Sequence, residues 1–66
     1  MSISIDVMRL GHSYRLTNQG EVFDFIFLGF TEDNEMHLKD IHTLEKYKYS
    51  DLVRFGKSRD YFLEEI

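Results

Sequence analysis

The segment Val22–Phe30 constrains the fold more than any other part of this chain. Phe23, Phe25 and Phe27 alternate with Val22, Asp24, Ile26 and Leu28. A period of two sends successive side chains to opposite faces of an extended strand. The three phenylalanines therefore define one face. Val22, Ile26 and Leu28 define the other, with Asp24 marking it as wet near its start. A strand that is apolar on both sides through its middle has to be covered on both sides. Gly29, near its end, predicts a bend or bulge.

Composition points the same way. The 66 residues contain no alanine, the strongest helix former, and no proline, cysteine or tryptophan. The aromatic fraction is 15%, and aromatic and β-branched residues fit a pleated, half-buried surface. Without cysteine there is neither a disulfide nor a thiolate metal site, so a domain this small depends on a dense core or on a partner. The chain reads as a single domain over residues 1–66, without repeats or a linker.

Four further segments complete the pattern. Ile3, Ile5 and Val7 alternate with Ser4 and Asp6, which predicts an edge strand or extended arm within residues 1–10. Tyr14 and Leu16 alternate with Arg15 and Thr17, a short strand that ends in the turn Asn18-Gln19-Gly20, where Asn and Gly suit positive φ. After the polar turn Thr31–Glu35, Met36, Leu38 and Asp40 alternate with His37, Lys39 and Ile41 in a third strand. Leu52–Phe55 reads either as a helical turn begun at Ser50-Asp51 and closed by Gly56, or as a fourth strand. The strand is favoured here because Tyr61-Phe62-Leu63 follows as a partner. The expected fold class is all-β: a small barrel of about five strands, with room for one short helical turn near residues 50–55.

The order Gly11-x-x-Tyr14-Arg15-Leu16, Gly20-Glu21-Val22-Phe23 and the run to Gly29 resembles the opening of SH3-like barrels of the Tudor and KOW kind. The resemblance covers about the first half of the chain and implies the superfold, which hosts many unrelated functions. Neither a Tudor aromatic cage nor a KOW basic loop is recognisable, so the resemblance implies no functional residue.

The candidate chemistry is sparse. His12, His37 and His42, with Asp40, are ligand types that zinc accepts. However, His37 and His42 differ by an odd number of positions and would face opposite ways in a continuous strand, so they read as surface histidines. Ser13 beside His12, and Ser50 beside Asp51, lack the geometry of an activated nucleophile, which sequence adjacency does not supply. The carboxylates Glu32, Asp33 and Glu35 fall short of the spacing of a calcium loop. We expect no enzyme, no metal and no cofactor.

Charge and aromatic placement leave two classes of partner. The formal net charge is -4, ordinary for a soluble domain. The expected function is a non-catalytic module that binds a protein or peptide, with Tyr14, Tyr47 and Tyr49 as exposed anchors. The alternative is a single-stranded nucleic-acid binder that uses Lys46 and Lys48 within Lys46-Tyr47-Lys48-Tyr49, together with Arg54. The face carrying Ile26 and Leu28 awaits a cover, either the arm Ile3-Ile5-Val7 or a second copy in a homodimer. Phe25–Phe30 is too short an apolar run to cross a bilayer, and the first ten residues do not read as a signal peptide. A cytoplasmic location is the default expectation.

Overall fold

The computed structural model describes residues 3–66. Five antiparallel strands form one sheet: β1 (Ser13–Asn18), β2 (Glu21–Phe30), β3 (Met36–Asp40), β4 (Lys46–Lys48) and β5 (Phe62–Glu65). Their order across the sheet is β4-β3-β2-β1-β5. A 3-10 turn, Ile5–Val7, precedes the sheet, and one short helix, α1 (Tyr49–Leu52), lies between β4 and β5. The all-β class expected from patterning is the observed one.

The period-two reading assigns the inner face correctly. Tyr14 and Leu16 of β1, Phe25 and Phe27 of β2, Leu38 of β3 and Leu63 of β5 are buried together with Met8 and Tyr49. Register explains the convergence, because Tyr14 lies opposite Phe25, Leu16 opposite both Phe23 and Leu63, and Phe27 opposite Leu38. Cross-strand apolar pairs of this kind are the unit of sheet stabilisation.

The β1–β2 hairpin departs from expectation in one instructive way. Gln19 and Gly20 take the two positive-φ positions, at 54° and 74°, as a tight twisted hairpin requires. Asn18 stays in the strand and points inward, with 1% of its surface exposed. Its amide nitrogen donates to the carbonyls of Leu52 (3.2 Å) and Gly56 (3.1 Å), and its oxygen accepts from the Ser58 N–H (3.0 Å). The turn amides of Gln19 and Gly20 donate to the Asp60 carboxylate at 3.1 and 2.8 Å. The hairpin is thereby tied to the connection between α1 and β5. These bonds hold the Asp60 carboxyl below its usual range, its hydrogen bond with Ser58 first among them.

Two expectations need correction. Ile3-Ile5-Val7 is not a strand. Ser4 caps a 3-10 turn by accepting the Asp6 N–H on its side chain (3.3 Å), and Ile3 bonds through its own N–H to the Leu63 carbonyl (2.7 Å). Local side-chain capping outcompetes the extended conformation here. Ile3 and Ile5 pack on the inner core. Met1 and Ser2 of the proposed arm lie outside the described residues.

The second correction concerns the favoured strand at Leu52–Phe55. The Lys48 N–H donates to the Asp51 carboxylate (3.1 Å); Asp51, in the first turn, reaches back to the N-cap residue and fixes the start of α1 at Tyr49. The chain then closes through Gly56, whose N–H bonds to the Val53 carbonyl (2.9 Å) at a φ of 90°. The helical alternative is the one adopted. The bulge anticipated at Gly29 is present: register shifts between Phe27 and Gly29, at a φ of 102°.

Candidate functional site

Burial sorts the expected binding residues into structural and available ones. Tyr14 is 1% exposed, and its hydroxyl accepts the Arg9 N–H at 2.6 Å. It faces the core because it shares the parity of Leu16 and lies opposite Phe25. Tyr49 is also buried, with its hydroxyl 2.7 Å from that of Tyr61. Burial pushes its ionisation well above the usual tyrosine range, and the Tyr61 hydrogen bond adds to this. Tyr47 is half-buried against the core opposite Leu38. Its hydroxyl is sealed from solvent, near the Asp40 carboxylate but without hydrogen-bonding geometry. Desolvation, then the Asp40 charge, raises its pKa to about 12. The exposed aromatic anchors expected at Tyr14 and Tyr49 are therefore absent, because both rings were needed inside. Tyr47 and Tyr49 do not share a strand face, since α1 begins at Tyr49.

The lysines behave as alternation predicts. Lys46 and Lys48 point away from Tyr47, onto the outer face of the sheet. The register sets Lys39 opposite Lys46, and His37 opposite Lys48. Like charges directly opposite each other destabilise a strand pair. Lys48 reaches Asp33 at 3.4 Å; Lys46 is exposed. Arg54 lies elsewhere, with its guanidinium 5.6 Å from the centroid of the Phe55 ring. It lines a cleft near the β1–β2 hairpin with Phe23 and Glu21, so it does not join the lysines.

In the middle of the outer face, Arg15 grips Asp24 through Nε (2.7 Å) and Nη2 (3.1 Å), and His42 approaches the same carboxylate at 3.2 Å. The Arg15 hydrogen bond is the main reason that the Asp24 carboxyl lies below its ordinary range. Ile26 and Leu28 sit on this face, half-exposed. The expected arm does not cover them, since Ile3 and Ile5 go to the inner side.

The histidines are dispersed. His12 contacts Glu65 (2.8 Å), His42 contacts Asp24, and His37 lies opposite Lys48. Among the described residues, no three histidine or carboxylate side chains gather as a metal-binding group.

One concave site was not legible in the sequence. The 3-10 turn stands over the far end of β2 and β3, and between them opens a cleft of about 270 Å³. Ile5, Met8, Phe27, Phe30 and Met36 line it, and Asp6 sits at its edge. Phe30 is 64% exposed and meets Phe27 edge to face at 5.7 Å between centroids. Leu10 and Val7 are also exposed. The signal in the sequence was Phe30 itself, an aromatic beyond the bulge at Gly29, where the strand's parity is broken.

No helix among the described residues is long and apolar enough to cross a membrane. Comparison with family models, curated proteins and solved structures finds nothing that matches this chain.

Proposed function

We propose that this chain is a non-catalytic interaction module of the small SH3-like barrel type, which takes an apolar side chain of a protein partner into the cleft beside Phe30. Support for the barrel type comes from the strand order β5-β1-β2-β3-β4 and from a short helical segment just ahead of the last strand.

The observation that carries the functional reading is the exposed Phe30 at the mouth of an apolar cleft. Its volume of about 270 Å³ lies just below the ~300–1,000 Å³ of small-molecule sites. It suits one anchoring side chain better than a substrate enclosed away from water. Aromatic and aliphatic anchors in such pockets dominate binding energy at protein interfaces. Asp6 at the edge favours a partner whose flanking residue is basic or neutral.

A second reading, single-stranded nucleic acid on the outer face, draws on Lys39, Lys46, Lys48 and His37. That surface lacks exposed aromatic rings among the described residues of β3 and β4, so the stacking that single-strand binders use has no platform there.

The test is selection of random displayed peptides against the folded protein, followed by mapping of the winners by amide chemical shifts. The expected winners carry a large apolar residue, shift amides around Phe30 and Met36, and lose binding in Phe30→Asp. Winners rich in acidic residues that map to Lys46 instead would overturn the assignment of the cleft.

A further inference from the structure

The outer face of the sheet has a charge pattern that fits itself. At one margin β3 and β4 present Lys39, Lys46 and Lys48, with His37 beside them. At the other, β5 presents Glu64 opposite Arg15. Between the margins, the bidentate Arg15–Asp24 pair neutralises itself. Along β2 the same face offers Ile26 and Leu28, which do not join the inner core. Val22, 58% exposed, continues this apolar line toward the hairpin.

We infer that this face is the interface of a homodimer. A two-fold axis running along β2 lays Ile26 on its own counterpart. The same rotation carries β5 of each copy over β4 of the other, which brings Glu64 toward Lys46 twice. A two-fold axis across the strands would instead superpose the basic margin on itself, so charge selects the first arrangement. Closed two-fold assemblies are the commonest homo-oligomers, and their interfaces must be self-complementary. An acidic copy of the chain also relieves the repulsion between Lys39 and Lys46, which the isolated sheet leaves standing.

Size makes this a weak association. The sheet is only part of a molecule that measures 30 × 24 × 23 Å, so two such faces bury less than the ~1,200–2,000 Å² of standard interfaces and fall in the range of transient complexes. The dimer uses the surface opposite the core and leaves the cleft beside Phe30 open. It stands independently of the function proposed for that cleft.

Charge reversal with mixing tests the inference. Both Lys46 (exposed) and Glu64 (half-exposed) lie off the core, so Lys46→Glu and Glu64→Lys should fold, which circular dichroism checks. Sedimentation equilibrium should show a dimer for the parent chain. Each variant alone should dimerise at least roughly tenfold more weakly, because like charges then meet twice across the axis. An equimolar mixture of the two should recover dimer, since both contacts then pair opposite charges. Ile26→Asp should abolish association, whereas Phe30→Asp should leave it intact. A parent chain that stays monomeric at high concentration would overturn the proposal. So would variants that fail to rescue each other, or a parent that associates only when a homopolymeric single strand is added.

Discussion

The side-chain oxygen of Asn18 accepts the backbone N–H of Ser58 at 3.0 Å, joining the end of β1 to a loop forty positions further along the chain. The same side chain donates to the Leu52 and Gly56 carbonyls. One buried amide thus satisfies backbone groups of the helix end and of the loop that leads to β5. A buried donor or acceptor that loses its partner costs about 1–3 kcal/mol. Asn18→Ala should lower stability by about that amount, measured by urea denaturation. Asn18→Asp should not restore it, because a carboxylate has no N–H for the two carbonyls. An unchanged midpoint would show that water replaces the amide at little cost.

Phe25 is fully buried between Tyr14 and Asp40, its ring 6.1 Å from that of Tyr14. Truncating a buried phenylalanine costs about 3–5 kcal/mol. A single core of this size supplies little more than ~3–5 kcal/mol in total. Phe25→Ala should therefore be unfolded or nearly so at room temperature, with dispersed amide resonances lost. Phe30→Ala, at an exposed ring of the same strand, should retain them.

Leu44 holds a φ of 66° while 63% exposed, and its N–H bonds to the Asp40 carbonyl at 2.9 Å. A left-handed conformation costs an ordinary residue roughly 1–2 kcal/mol, and glycine avoids that cost. Part of the gain is offset by the extra freedom glycine has in the unfolded chain. Leu44→Gly should raise the melting temperature by a few degrees, the response expected for about 0.5–1 kcal/mol in a domain of this size. A lower melting temperature would mean that the leucine side chain makes a stabilising contact despite its exposure.

Alkaline stability should fall over a defined window. The Tyr47 hydroxyl ionises near 12 in the folded protein, against ~10 in an unfolded chain. Below pH ~10 both states keep the proton and stability does not change on this account. Above it the unfolded state loses protons that the folded state retains, so stability falls as pH rises toward 12. Tyr49, shifted in the same direction, steepens the fall. Tyr47→Phe should flatten the dependence between pH 10 and 12. It should be neutral or mildly stabilising at pH 7, because the hydroxyl it removes has no hydrogen-bond partner. Equal slopes for the variant and the parent would place the ionisation elsewhere.

The strands β1, β2 and β3 and their inner face were legible because they depend on side-chain parity alone. Leu16, Phe25, Phe27 and Leu38 alternate with polar or less buried neighbours, and the pleat turns that alternation directly into two faces. The lysines of β4 followed by the same rule. The chemistry of Asn18 was not legible. Beside Gly20 it reads as a turn residue, and only the loop that leads to β5, distant in sequence, supplies the backbone groups that hold it inside. Nor was the burial of Tyr14 and Tyr49 as opposed to exposure, since an amphipathic ring suits either side until a hydroxyl partner is known.

By itself the sequence determined an all-β domain with an aromatic core and a bend at Gly29, since these follow from local periodicity and from which residues tolerate which backbone angles. Local hydrogen bonds decided two segments against the pattern: Ser4 turned the first into a 3-10 turn, and Asp51 capped a helix where a strand was also compatible. Tertiary structure alone decided the rest. The register placed Lys39 opposite Lys46, and the Phe30 cleft arose where the turn at Ile5–Val7 meets the end of β2. Each of these depends on hydrogen bonds or contacts whose partners, whether close by or far along the chain, compete with the local pattern, and a periodicity carries no information about which competitor wins.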